Sequence, residues 1–575
     1  MDAGIFFVLT GALIVAAIAR WRGWPAPLLV TVVALAVSFV PFVPNLEIDG
    51  HLLLNLVLPP LLYSAALDVS FISFARSLPQ IRRLGVGLVL VTTVVVGLVA
   101  WWILPSLTLP GALLLGAIVA PPDAVSAAAI GRKLGLPRRV MTVLSGESLI
   151  NDATSLTLYR VFASIVLGAT VSVWEGIGQF AVAVVFGVVI GLIFGIVLHQ
   201  LRLRIADPVV IGTFGLLVPF GAYAIAEHVG GSGVLAVVAM GLFVGFNSPS
   251  TSYTTRQQEV PLWLSADFLL ESFVFAYIGL QFPRVISDLG DESIVHVLLL
   301  SGAVLLAVLL VRPAFIYPAD VWGRFWQQVR LRRFDRQLQS GRIQARLDHG
   351  KHPRRPQMTV EQLRGRMVAP ALTWKDNAVI SWAGMRGVVT LATALAAADL
   401  AGLDRGAGHA IVVVAYVVTL GTLLLQGLTL PWLIRVLGVV ADSEHEEDRR
   451  QLAAVRARSK EAGREYLDQR RSEWVAEHGA GSAARFDAFE ARLLKMETDA
   501  DRAQASTDGS GPAHPTYAEL EDLSRGWLQV RREVLRQERD AGKLNEEVMR
   551  ELIAAMDAEE LALDTRGALR LPGRA

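Results

Sequence analysis

Ala120-Pro121-Pro122-Asp123 interrupts an apolar run over 109–131, and Ala383-Gly384-Met385-Arg386-Gly387 interrupts another over 377–398. Consecutive prolines remove amide donors and stop a helix, and paired glycines lower the cost of stopping one. Each break also holds a charge, Asp123 in the first and Arg386 in the second. A break alone would be unremarked in an apolar helix, where Pro and Gly are common. A break with a charge at its centre asks what surrounds it.

The surroundings are apolar. Of 575 residues, 53% are hydrophobic and only 18% are charged, and mean hydropathy is +0.47. Stretches such as 84–104 and 180–198 contain no Asp, Glu, Lys or Arg, whereas the chain after Ala441 is dense with them. About 20 apolar residues as a helix match the hydrocarbon thickness of a bilayer. The run-by-run pattern predicts thirteen spans, at 4–20, 27–43, 51–68, 84–104, 109–131, 140–167, 175–198, 207–228, 231–247, 260–281, 293–317, 377–398 and 408–432. The first basic residue, Arg20, follows the first run, so that run reads as a permanent span rather than a cleaved signal.

Charge in the connections sets the expected orientation. Odd-numbered short connections carry Arg20 and Arg22, then Arg76, Arg82 and Arg83, then Arg132, Lys133, Arg138 and Arg139, then Arg202 and Arg204, then Arg256; even-numbered ones carry Arg284 and Arg405. The N-terminus is therefore expected outside, and the basic loop at 318–376 and the tail at 441–575 inside. Counting six spans per unit, 1–6 and 8–13, puts both breaks at the fifth place of two units that run in opposite directions. Broken helices at matching places of inverted repeats point to a transport site at the membrane midplane. The expected fold is thus an all-α polytopic membrane protein, with two inverted repeats whose broken helices cross, over residues 1–435. The tail has apolar residues at helical spacing, among them Leu520, Leu523, Trp527, Val530, Val534 and Leu535, and is expected to be a helical cytoplasmic module.

Ionised side chains at mid-membrane cost on the order of 2.5–3.5 kcal/mol and are functional by default. Those far from a span end are Asp123, Glu147, Asp152, Asp267, Glu271 and Arg386. Within Gly146-Glu147-Ser148-Leu149-Ile150-Asn151-Asp152, four-residue spacing puts Ser148 and Asp152 on one helix face, and Glu147 and Asn151 on another. A carboxylate and a hydroxyl one turn apart are hard oxygen donors, suited to Na⁺ or Li⁺, and the carbonyls freed beside Pro122 extend the set. A carboxyl group in low dielectric also holds a proton readily. Proton and cation would then compete for one group, which with alternating access is exchange. Arg386 cannot lose its charge and needs a carboxylate; Glu147 and Glu271 are the candidates. Asp267 and Glu271, one turn apart, read first as packing acids.

Other classes fit less well. With no Cys there is no thiolate metal site or cysteine nucleophile, and a net charge of +1 gives no case for nucleic acid. No cofactor is expected, and the chain does not read as an enzyme. An intramembrane aspartyl protease would leave Arg386 and both breaks unexplained. A cation channel or gated receptor would use the same acids as a passive pore, and coupling to protons is what separates it from an exchanger.

Gly-Glu-Ser-Leu-Ile-Asn-Asp-Ala at 146–153, Pro122-Asp123, Gly-Met-Arg-Gly-Val-Val at 384–389 and Leu-Pro-Pro-Leu-Leu-Tyr at 58–63 together resemble the sodium/proton exchangers of cation:proton antiporter family 1, in the bacterial branch. The resemblance implies a homodimer in the bacterial cell membrane, with a dimerisation domain and a six-helix core. It implies Asp152 as ion and proton carrier, Asp123, Ser148 and the Pro122 carbonyl as assisting ligands, and Asn151, Pro121 and Gly384 as positioning residues. Glu147 with Arg386 would be a structural ion pair, and Glu271, Asp267 and Ser64 a secondary set. Asn151 before the carrier resembles members that exchange one cation for one proton. Two positions depart from the pattern: Pro122 replaces a threonine, and Ser64 replaces an acid.

Overall fold

The computed structural model describes residues 3–40, 50–170, 172–205, 207–287, 294–340, 372–398, 400–439, 441–479 and 517–568, with scattered positions in 360–364 and 483–491. Most of the basic loop and the polar stretch 505–516 lie outside the described residues. Every regular element described is a helix. The chain divides into two compact units, 1–441 and 442–575.

In the first unit, seven helices are long and apolar enough to cross a membrane, and four shorter ones are apolar over 10–17 residues. Helix starts follow side-chain chemistry. Ser172 with Glu175, and Thr373 with Asp376, form capping boxes; Asp207, Ser232 and Ser252 accept bonds from the first amides of their helices. Arg138–Val166, which carries Glu147 and Asp152, is absent from the candidate spans. Its charges dilute its hydropathy, so the helix that carries Glu147 and Asp152 is inconspicuous by composition.

Three expectations change. The arginines at 76–83, read as a connection, lie on Phe71–Arg82, a helix continuing through a π-helical stretch, Arg83–Leu88, into Val89–Ile103. Gly85 lies in that stretch, where a Cβ would come within 2.9 Å of Ile150, so the absence of a side chain permits close approach to the Asp152 helix. The run at 51–68 is two helices, Gly50–Leu56 and Leu58–Asp68, with Pro59 and Pro60 in the first turn of the second, where proline is tolerated. The run at 293–317 belongs to a helix of 46 residues, Ile294–Gln339. Gly187, Gly191 and Gly195 of Val173–Arg204 pack against backbone and side chains at 232–243 of the same chain, the close approach that small residues allow.

In the second unit, Asp442–His478, Tyr517–Asp540 and Glu546–Ala568 enclose a core of Val455, Leu467, Trp527, Leu528, Leu535 and Leu552 with their neighbours. Arg532 donates to Asp557 at 2.7 Å and Glu560 at 2.6 Å, joining the last two helices.

Candidate functional site

The two breaks form real gaps. Leu109–Val119 stops before the prolines and Ala124–Leu134 resumes after them; Trp374–Trp382 stops before the glycines and Val388–Ala398 resumes. A helix end leaves carbonyls without intrahelical donors, and buried carbonyls must find others. Following them builds the site.

Pro121 has no amide to offer Ala117, and the Ser155 hydroxyl donates to that carbonyl at 2.7 Å. The Asp123 amide, which a continuing helix would direct to Val119, donates instead to the Met385 carbonyl of the other break at 2.6 Å. Arg386 donates through Nε to Val119 at 2.9 Å and through Nη2 to Ala120 at 3.2 Å, and through Nη1 to its neighbour Gly384. Asn151 Nδ2 donates to the Pro122 carbonyl at 2.9 Å. On the second break, the Ile380 carbonyl accepts from Arg312 Nε at 3.0 Å, and the Arg386 amide donates to Thr422 Oγ1 at 3.0 Å. Each half-helix therefore ends on a guanidinium. A cation at a helix C-terminus complements the negative end of its dipole.

This corrects the expected ion pair. Glu147, 2% exposed, is held by Arg312, 3% exposed, through two parallel bonds of 2.5 and 2.8 Å. Among the described residues Arg386 is bonded to carbonyl oxygens, not to Glu147 or Glu271. The reasoning that an intramembrane arginine requires a carboxylate underrated backbone carbonyls at broken helix ends as partners. Arg312 lies on the helix whose apolar run was expected to end at 317. The helix runs on to Gln339, which places Arg312 in its interior.

Two glycines are required by this geometry. A Cβ on Gly387 would lie 2.6 Å from the Asp123 carboxylate, and one on Gly384 would lie 2.7 Å from the Arg312 side chain.

Beside the point where the two breaks meet lies a cavity of about 150 Å³. Asp152, Asp123, Ser148, Pro121 and Pro122 line it, with Ser64, Asp267 and Glu271. Asn151, fully buried, stands behind the wall as the brace on Pro122. Asp152 is 7% exposed and forms no hydrogen bond or ion pair among the described residues. Ser64 donates to Asp267, so that acid reaches the cavity wall from a neighbouring helix. Asp68 and Arg132 also line it; the sequence reading placed both at span ends. Spacing could have found Asp68, one turn after Ser64 on the same helix. No group of three or more His, Cys, Asp or Glu side chains able to hold a metal occurs among the described residues. The oxygen donors lining the cavity are the carboxyl groups of Asp68, Asp123, Asp152, Asp267 and Glu271, with the Ser64, Ser148 and Thr390 hydroxyls.

Seven helices long and apolar enough to cross a bilayer, with two broken helices that meet beside a buried carboxyl, mark a multi-pass membrane protein. Residues 5–436 match the family model for the sodium/hydrogen exchanger transmembrane region, and the chain belongs to that family of transporters. A protein named an uncharacterized Na(+)/H(+) exchanger of Mycobacterium tuberculosis is 31% identical over 556 residues, covering 95% of this chain and 92% of its own length. The Na(+)/H(+) antiporter ApNhaP of Aphanothece halophytica is 28% identical, over 76% of this chain and 74% of its own. The structure of the sodium proton antiporter MjNhaP1 from Methanocaldococcus jannaschii superposes with a TM-score of 0.53 at 18% identity, covering 76% of this chain and 98% of that one. It shares the fold.

Proposed function

We propose that this chain exchanges a monovalent cation, Na⁺ first with Li⁺ and K⁺ as competitors, for protons by alternating access. The observation that carries this reading is Asp152: buried, with no hydrogen bond or ion pair among the described residues, and on the wall of a cavity shared with Ser148 and Asp123. Asp68, Asp123, Asp152, Asp267 and Glu271 share one cavity with the Arg132 guanidinium, and acids that outnumber the guanidinium need further counter-charge to stay ionised there. A proton or a cation supplies it, and taking one excludes the other. Asp123, Ser148 and the Pro122 carbonyl share the cation; Asn151, Pro121 and Gly384 hold the break in shape.

The remaining features follow the same reading. Thirteen spans in two inverted repeats place the crossing at the midplane, with the N-terminus outside and the tail in the cytoplasm of a bacterium. On that orientation, Asp68, Arg132 and Asp267 mark the cytoplasmic mouth of the cavity. The working form is a homodimer, and exchange is one for one and moves no net charge. A passive pore is not favoured, because the family is one of exchangers.

Everted membrane vesicles containing the protein test this reading. With an acid interior preset, adding Na⁺ or Li⁺ should release the gradient with a saturable rate, and Asp152→Asn should not respond. Full release by Asp152→Asn would remove the carrier assignment, and release without added cation would favour a pore.

A further inference from the structure

Threonines in buried helices usually satisfy their own hydroxyls by bonding a carbonyl one turn back. Thr154 does so to Ile150 at 3.0 Å, Thr157 to Ala153 at 2.7 Å, and Thr393 to Val389 at 2.7 Å. Thr390 does not. It is 1% exposed, and its hydroxyl has no hydrogen-bond partner among the described residues. The reason is local: the carbonyls one turn back belong to Arg386 and Gly387, in the unwound segment before Val388–Ala398, so helical geometry is missing where the hydroxyl needs it.

A buried hydroxyl left unpaired is destabilising, and its position says what it is for. Thr390 lines the same cavity as Asp152, Asp123 and Ser148. Gly387, three residues earlier and so on the same side of the chain as the helix starts, is pressed against the Asp123 carboxylate. Among the described residues the Thr93 and Thr419 hydroxyls also have no partner, but neither residue lines the cavity.

We propose that Thr390 gives its hydroxyl oxygen to the transported cation from the second broken helix, opposite the ligands of the first, and tunes the choice among alkali cations. A dehydrated ion of this class needs several hard oxygens, and the number and field strength of those oxygens separate Na⁺ from K⁺. Pro122 contributes a carbonyl and no hydroxyl, so a neutral hydroxyl from Thr390 adds to a set otherwise made of carboxylates, Ser148 and carbonyls. The inference rests on the exchange reading and adds a residue to it.

The test compares Thr390→Ala, Thr390→Val and Thr390→Ser with the unaltered protein, in proteoliposomes for exchange and in detergent for radiolabelled Na⁺ binding. Loss of one ligand should raise the half-saturating Na⁺ concentration about tenfold in Ala and Val, the equivalent of about 1.4 kcal/mol. Maximal rate should stay within about twofold, the ranking of Na⁺, Li⁺ and K⁺ should shift, and Ser should restore both properties. Unchanged half-saturation and ranking in Ala and Val would overturn the proposal. So would a fall in maximal rate alone that Ser does not rescue, which is the signature of packing. Failure of the exchange reading looks different, since the unaltered protein would then show no cation-driven proton movement. The binding arm would still decide on Thr390.

Discussion

The amide of Asp123 donates to the carbonyl of Met385 at 2.6 Å, so the two helix breaks are tied backbone to backbone at the point where their charges lie. Neither break is complete without the other. Residues that brace the crossing should therefore affect exchange while leaving the carrier carboxyl chemically intact.

Removing one partner of the Glu147–Arg312 pair leaves a buried charge uncompensated, a loss of about 3–5 kcal/mol. Glu147→Gln and Arg312→Gln should each sharply lower the temperature at which the detergent-purified protein aggregates. Combining Glu147→Arg with Arg312→Glu should recover part of that loss. Recovery by Glu147→Arg with Arg386→Glu instead would restore the pairing this structure rejects.

Arg386 should behave as a brace on carbonyls. Arg386→Gln removes the charge at the end of Leu109–Val119 together with donors to Val119 and Ala120, bonds worth about 1.5–3 kcal/mol each when charged. Exchange at matched expression should fall about tenfold or more, and Arg386→Lys should recover only a fraction, because an ammonium lacks the planar fork. An unimpaired rate in Arg386→Gln would contradict this role.

Asn151→Ala strands the Pro122 carbonyl, at a cost of about 1–3 kcal/mol. The expected signature is weaker Na⁺ binding with Asp152 still present, measured by radiolabel titration. Wild-type affinity would show that the 2.9 Å bond does not position the site.

Gly387→Ala would put a methyl group 2.6 Å from the Asp123 carboxylate and should abolish or strongly reduce exchange. Gly302→Ala, where a Cβ meets nothing within 4 Å, is the control and should be silent.

The breaks and the charges on the Asp152 helix were legible because proline, glycine and intramembrane charge are strong local signals. Partner choice was not. Arg312 lies far from Glu147 in sequence, and only the packing of Ile294–Gln339 brings the two together. Thr390 was invisible for a different reason. A threonine in an apolar helix carries no signal by itself, and its hydroxyl becomes notable only when the preceding turn is seen to be unwound. Ser64 as the partner of Asp267 was out of reach by the same limit: periodicity puts Asp267 beside Glu271, but the neighbouring helix that brings Ser64 to it is set by tertiary packing.

Competition between H⁺ and Na⁺ for one carboxyl is tested most directly by proton release on binding. Purified protein in weakly buffered detergent, at a pH where it is protonated, should release about one proton per chain when saturated with Na⁺, because one carboxyl changes hands. Asp152→Asn should release none. Sodium binding with no proton release from the unaltered protein, or undiminished release from Asp152→Asn, would contradict the account.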